Sequence, residues 1–102
     1  MQPVKSAELE PFLERNPLVV DVRPLEQAEP SRFQDALRLP LKDIQDGNHA
    51  LPKDRPILLV CERGLMSELA GLYLEAGGYA QVYNLEGGLR KLGQKAASST
   101  AL

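Results

Sequence analysis

Continuous runs of apolar residues mark the predicted strands of this chain. The two strongest runs cover residues 18–22 (LVVDV) and 57–60 (ILLV), and a weaker one covers residues 81–83 (QVY). A sheet with one solvent-exposed face would show alternating apolar and polar residues, so continuous runs favour strands that are covered on both faces. Because segments with helical spacing separate the runs, we predict an α/β fold, a small doubly wound and largely parallel sheet flanked by helices.

A first helix is predicted to be capped by Ser6, whose hydroxyl can accept a hydrogen bond from the free amides of a helix start. Three apolar residues share one face of this helix: Leu9, Phe12 and Leu13. Pro11 removes one backbone donor near its start. We expect the helix to end around residues 16–17, where Asn is followed by Pro.

A longer helix is predicted after the run at 57–60. Its apolar residues recur at helical spacing: Leu65, Leu69, Leu72 and Ala76. Glycines at 77 and 78 supply a left-handed stop. The stretch 24–56 holds five of the eight prolines, so we expect short helical turns there and one short strand at residues 36–39.

The length of 102 residues is that of one ordinary domain, which can bury a modest core without disulfides or structural metal. We predict a single domain over residues 1–95, with a last short helix through Leu89 and Leu92. Residues 96–102 are predicted to form a flexible C-terminal tail.

Charge and cysteine content narrow the classes of function. The chain has 12 Lys and Arg against 14 Asp and Glu, a net charge of -2, without the basic excess of nucleic-acid-binding proteins. The longest apolar run, residues 57–61, is too short to span a membrane. One cysteine, Cys61, and one histidine, His49, leave no internal disulfide and no clustered zinc site. We therefore expect a soluble cytoplasmic protein with no metal and no nucleic-acid or membrane partner.

Polar residues follow three of the predicted strands, at residues 21–24 (DVRP), 61–67 (CERGLMS) and 84–88 (NLEGG). In an open parallel sheet, ligands bind beyond such carboxyl ends. The middle segment joins a strand to a helix in a few residues, so it must curl tightly, and Gly64 is expected to take a positive φ angle. The amides of such a curl and the free donors of the helix start would hold an anion. Cys61 is thus expected to be an ionised nucleophile, with Arg63 as a nearby cation.

Four ordered motifs resemble those of the rhodanese (thiosulfate sulfurtransferase) family. They are CERGLMS at 61–67, VDVR at 20–23, PL at 40–41 and LEGGL at 85–89. The resemblance covers essentially the whole chain and implies a rhodanese-like fold. It also implies a double displacement without a cofactor. The Cys61 thiolate takes the outer sulfur of a donor such as thiosulfate, becomes a persulfide, and passes that sulfur to a thiol, cyanide or sulfur-carrier protein.

The resemblance and the curled loop together define the candidate site, with Cys61 as its catalytic residue. The rest of the loop is expected to bind substrate through its backbone amides: Glu62, Arg63, Gly64, Leu65, Met66 and Ser67. Four further residues are assigned to the rim of the site or to structure: Asp21, Arg23, Gly87 and Gly88. We favour a structural pairing of Asp21 with Arg23, close packing or a tight turn at Gly87-Gly88, and a solvent-directed Glu62.

Some positions depart from the family pattern. Many members carry Arg or another polar residue where this chain has Met66, and a thioether cannot donate a hydrogen bond to an anion. We therefore expect weak affinity for thiosulfate. Residues 31–33 (SRF) replace a common Gly-His-Ile, and Leu92 lies near a position often held by Trp.

Two other functions stay open. The chain could be a non-catalytic rhodanese-fold module that binds a partner protein through the same loop. A phosphatase or arsenate reductase is the less favoured alternative, because that chemistry uses an Arg at the position of Ser67 to stabilise the transferring group.

Overall fold

The computed structural model describes residues 1–27 and 31–92, so the predicted tail at 96–102 lies outside the described residues. The strands are β1 Gln2–Val4, β2 Leu18–Asp21, β3 Leu37–Arg38, β4 Ile57–Val60 and β5 Val82–Leu85. The α-helices are α1 Leu9–Leu13, α2 Leu41–Gln45 and α3 Leu65–Ala76. Residues 88–92 are also helical and are called α4, as predicted for the segment through Leu89 and Leu92.

The five strands form one parallel sheet in the order β1-β5-β4-β2-β3. β4 lies at its centre, with Val60 opposite Asp21 of β2 and Leu59 opposite Asn84 of β5. Asp21 and Asn84, which were expected to follow their strands, lie within β2 and β5. Since all the strands run in one direction, the polar segments at the carboxyl ends of β2, β4 and β5 lie at the same end of the sheet. The predicted parallel α/β architecture is confirmed.

The residues of β4 point alternately to two hydrophobic clusters, one on each face of the sheet. Ile57 and Leu59 pack with residues of α2 and α3, including Ile44, Ala70 and Leu74. Leu58 and Val60 pack on the opposite face with residues of α1, Leu9 and Phe12. Every residue of β4 is buried, which accounts for its continuous rather than alternating apolar sequence.

The amino-terminal segment differs from its prediction in two ways. The proposed Ser6 cap is wrong, because residues Ser6–Glu8 form a 3-10 turn that precedes α1. The backbone amide of Lys5 donates to the Glu8 carboxylate over 3.0 Å, so the turn begins at Lys5. Strand β1 was not predicted, since only Val4 of its three residues is buried.

Helix α3 was predicted correctly, but its regularly spaced leucines lie on the outer face. Leu65 is 68% exposed, and Leu69 and Leu72 are also exposed. The buried face consists of smaller residues and one leucine: Ser67, Ala70, Gly71 and Leu74. The first turn of α3 lies beside the end of β4, where the Ser67 amide reaches the sulfur of Cys61.

The proline-rich middle of the chain contains the predicted short strand, shortened to β3, and the short helix α2. Within residues 1–27 and 31–92, no helix combines the length and apolar character needed to cross a membrane.

Candidate active site

The segment between β4 and α3 is curled, as predicted. Cys61 directly follows β4, and α3 begins at Leu65, so the chain reverses direction within three residues. Gly64 sits at the turning point with φ of 86°, in the left-handed region that favours glycine. A Cβ atom at this position would also lie 3.1 Å from the backbone nitrogen of Gly87. Glycine is therefore favoured here by the backbone conformation, and a side chain would also be crowded against the backbone of residues 85–88.

The sulfur of Cys61 lies inside this curl and receives two backbone hydrogen bonds. The Gly64 amide donates to Sγ over 3.1 Å and the Ser67 amide over 3.3 Å. The Ser67 hydroxyl oxygen lies 3.3 Å from the same sulfur. Both amides point their positive ends at one atom, which favours negative charge on it.

The other predicted amide donors do not bond to Sγ in this conformation. The first backbone bond of α3 runs from the Glu68 amide to the Gly64 carbonyl, so the amides of Leu65 and Met66 stand outside the helical ladder. The side chains of Glu62 and Arg63 are exposed, and Arg63 makes no hydrogen bond to the sulfur in the described structure. Arg63 is therefore not brought to Cys61 as a contacting cation.

Cys61 is deeply placed, with only 1% of its surface exposed. Its neighbours are of two kinds, because the apolar cluster of α2 and α3 includes this residue while its sulfur faces the amides of the loop. The sulfur therefore has almost no direct contact with solvent in this structure.

The turn at Gly87 and Gly88 and the start of α4 contact the backbone of the loop. The first amides of α4 donate to the loop, from Leu89 to the Cys61 carbonyl and from Arg90 to the Glu62 carbonyl, both over 2.9 Å. Gly88 has φ of 69°, and a Cβ there would lie 2.6 Å from the Gly64 nitrogen. Gly88 is therefore packed tightly against the backbone of the loop, whereas a Cβ at Gly87 would meet the side chain of Lys91.

Asp21 and Arg23 form a buried ion pair at the end of β2. The Arg23 side chain donates to the Asp21 carboxylate over 2.8 and 3.1 Å, and its backbone amide donates to the same group over 3.0 Å. Arg23 also comes within 4.0 Å of the Glu62 carboxylate, whose side chain is 56% exposed. Arg38 of β3 lies 3.6 Å from Asp21. The pair thus connects β2, β3 and the outer side of the loop.

A cavity of about 480 Å³ opens beside the loop at Met66. Its apolar lining is Val22, Pro24, Leu25, Pro40, Leu41 and Met66. Three polar residues complete it: Glu26, Lys42 and Gln45. The side of the loop that carries Met66 therefore faces an apolar space.

The sequence profile of the rhodanese-like domain matches residues 6–95. The chain belongs to the family of rhodanese-like domains. This rhodanese-like domain is 38% identical over 72 residues to a protein of Allochromatium vinosum named sulfurtransferase, with 71% of this chain and 67% of that protein covered. It is 30% identical over 74 residues to the thiosulfate sulfurtransferase GlpE of Coxiella burnetii, with 72% and 69% covered.

Solved structures give the same assignment. A rhodanese homolog from the extremely thermophilic bacterium Thermus thermophilus is 52% identical to this rhodanese-like domain and superimposes with a TM-score of 0.78. The superposition covers 88% of this chain and 99% of the homolog. The predicted family and fold are confirmed, and proteins named as sulfurtransferases are among the relatives.

Asn84 was noted in the sequence only as the start of the polar segment 84–88, and it was not assigned to the site. It lies in β5 beside β4 and is 6% exposed. The Ser67 hydroxyl donates to its Oδ1, and its Nδ2 donates to the Gly64 carbonyl over 3.2 Å. The available signal was an amide side chain between the apolar residues of a strand, because a buried polar group needs partners.

Proposed function

We propose that this chain is a sulfurtransferase that carries a sulfane sulfur on Cys61 as a persulfide. The observation that carries the proposal is the pair of backbone amides, from Gly64 and Ser67, aimed at the sulfur of the chain's one cysteine. Backbone dipoles fixed in place stabilise a thiolate nucleophile and lose nothing to reorganisation during reaction. Membership of a family with sulfurtransferase-named relatives supports the same chemistry.

The proposed reaction has two displacements. In the first, the Cys61 thiolate attacks the outer sulfur of a donor, the donor's S–S bond breaks, and a new S–S bond forms on Cys61. Thiosulfate would leave as sulfite, and an organic persulfide would leave as a thiol after taking up a proton. In the second, an acceptor such as cyanide or a thiolate attacks the outer sulfur and the Cys61 thiolate leaves.

The free amides of Leu65 and Met66 support the intermediate. The outer sulfur of the persulfide is anionic. The two donors lie at the amino terminus of α3, in the chain between Gly64 and Ser67, whose amides bond to the Cys61 sulfur. Donors outside the helical ladder are suited to a new anion because binding it breaks no existing helical bond. The Gly64 and Ser67 amides would remain on Sγ.

The burial of Cys61 sets the shape of the donor. With 1% of the residue exposed, a substrate must present a single terminal atom rather than a bulky centre. A sulfane sulfur is such an atom. We therefore propose that compact or slender sulfur donors react and that bulky electrophiles are excluded.

Met66 sets the polarity of the donor. Its thioether offers no hydrogen-bond donor to an anion, and the neighbouring cavity is mainly apolar. Thiosulfate would be held by amides alone and would bind weakly. An organic persulfide with an apolar substituent suits this surface better.

Turnover with several donors tests the proposal. The wild type is incubated with thiosulfate or an organic persulfide and with cyanide or a small thiol, and the transferred sulfur is measured. We expect turnover that Cys61→Ser abolishes. Absence of transfer from every donor would favour the protein-binding module, and Cys61-dependent hydrolysis of a phosphate ester would favour the phosphatase.

A further inference from the structure

Asn84 joins the two residues whose amides hold the sulfur. It is buried at 6% exposure and bonds to the Ser67 hydroxyl on one side and to the Gly64 carbonyl on the other. A side chain from β5 thus spans the loop between its turning point and the first turn of α3.

The hydrogen-bonding chemistry fixes the direction of each bond. The Gly64 carbonyl can only accept, so the amide group of Asn84 must turn its nitrogen towards it. Its Oδ1 then faces Ser67 and can only accept. The Ser67 hydroxyl has one hydrogen, which goes to Asn84, and its oxygen presents lone pairs to Cys61 at 3.3 Å.

We propose that Asn84 is a positioning residue that keeps the Ser67 hydroxyl hydrogen away from Cys61, so that this hydroxyl accepts from the thiol while backbone amides alone hold the thiolate. The catalytic meaning of this arrangement rests on the proposed function of Cys61. In the protonated state the S–H group donates to the Ser67 oxygen. In the ionised state the same oxygen faces the sulfur with lone pairs and opposes the charge.

This arrangement makes Asn84 and the sulfur competitors for one hydrogen. If Asn84 did not accept it, the hydroxyl would turn and donate to the thiolate, and hydrogen bonds to charged groups are the stronger kind. Asn84 thereby keeps the resting thiolate less stabilised, and so more nucleophilic, than the loop could make it. It also ties Gly64 to Ser67.

Charged residues also lie in the loop and on the neighbouring elements. Those nearest in the chain or on packed elements are Asp21, Arg23, Glu62, Arg63, Glu68 and Arg90. They are identical in the variants compared below, so their influence cancels in the differences.

The test is the titration of Cys61 in a cycle of Ser67→Ala and Asn84→Leu. Thiolate formation is followed by ultraviolet absorbance against pH, with Cys61→Ser as the blank that subtracts the tyrosines. In the wild-type background, Ser67→Ala removes an acceptor from the thiol, so we expect the titration midpoint to fall by about half a pH unit. In the Asn84→Leu background the freed hydroxyl donates to the thiolate, so Ser67→Ala should raise the midpoint.

A reversal of sign between the two backgrounds supports the proposal. A rise in both backgrounds would show that the hydroxyl already donates to the thiolate, and no shift in either would show that it does not act on the sulfur; each result overturns the proposal. Thermal unfolding checks that the variants fold. If Asn84→Leu does not fold, the direction of the Ser67→Ala shift decides alone.

The titration needs no sulfur donor, which separates the two proposals. Wild-type protein that shows the sign reversal but never transfers sulfur would retain the role of Asn84 and lose the proposed function. Sulfur transfer by a protein in which Ser67 and Asn84 show no coupling would retain the proposed function and lose the role of Asn84.

Discussion

Two regions of the molecule share two structural features but differ in their surroundings. One is the carboxyl end of the sheet around Cys61, and the other is the surface formed by α2 and the turn that follows it. Each has an ion pair, Asp21 with Arg23 at the first and Lys42 with Asp46 at the second. Each also has a glycine with φ near 70°, Gly88 and Gly47 respectively.

The two regions differ in burial. The Asp21 and Arg23 side chains are 2% and 5% exposed, whereas those of Asp46 and Lys42 are 51% and 82% exposed. A Cβ at Gly88 would meet the backbone of the loop, whereas one at Gly47 would meet nothing within 4 Å. An ion pair and a glycine with positive φ are therefore packed into the structure around the candidate site, whereas the same two features lie exposed at α2.

Breaking the two ion pairs should give the largest contrast. Arg23→Met leaves the buried Asp21 charge without its main partner, which costs about 3 kcal/mol of stability. The low end of the usual range is expected because Arg38 remains 3.6 Å from Asp21. Lys42→Met is the matched control and should change stability only at the limit of measurement. Chemical denaturation of both variants measures this, and equal losses would show that burial does not distinguish the pairs.

Adding a methyl group to each glycine tests the packing difference. Gly88→Ala and Gly47→Ala share the strain of a positive φ angle, so their difference isolates the contact with the loop. We expect Gly88→Ala to be less stable than Gly47→Ala by about 2 kcal/mol. It should also slow sulfur transfer, because the loop must move. Indistinguishable denaturation midpoints would contradict the close seating of the loop on Gly88.

Met66→Arg brings a cation to the boundary between the two regions. If the poor fit of thiosulfate arises from the missing donor at this position, a guanidinium should improve kcat/KM for thiosulfate by about tenfold. Met66→Leu is the control, since it keeps the surface apolar and should leave the value low. The rates for an organic persulfide should not rise in either variant. Equal thiosulfate kinetics in wild type and Met66→Arg would contradict the role given to Met66.

The exposed ion pair of Lys42 with Asp46 should have the smallest effect on stability, and that effect should depend on pH. The hydrogen bond and the charge of Asp46 raise the pKa of Lys42 above its ordinary value of 10.5. A raised folded-state pKa means that the pair stabilises the fold below the unfolded value and stops doing so as pH rises through the folded value. The small difference between wild type and Lys42→Met should therefore vanish in strongly alkaline buffer. A stability difference between wild type and Lys42→Met that grows at alkaline pH would contradict the raised pKa of Lys42.

The sequence allowed the centre of the fold to be predicted because its strands are buried on both faces. β2, β4 and β5 all appeared as apolar runs. β1 did not, since Gln2 and Pro3 are exposed and its pairing with β5 is a long-range contact that no local pattern records. The predicted cap at Ser6 was wrong. Serine is a residue type that favours the start of a helix, but the turn begins at Lys5 and α1 begins at Leu9.

The candidate site also has a part that local sequence predicts and a part that depends on long-range contacts. The curl of residues 61–67 follows from Cys61, Gly64 and the start of a helix, all of which are neighbours in sequence. The contribution of Asn84 depends on the register of β5 against β4, which places it opposite Leu59. Helix α3 adds a second lesson, since its spacing indicated a helix but not which face would be buried.

The most direct test of the central claim is the mass of the protein after reaction with a sulfur donor. Wild-type protein exposed to an organic persulfide and freed of excess reagent should gain one sulfur atom, located on Cys61 by peptide mapping. Cyanide should remove it as thiocyanate and return the original mass. Protein that gains no sulfur from any donor, or gains it equally in Cys61→Ser, would contradict the claim that this cysteine carries sulfur.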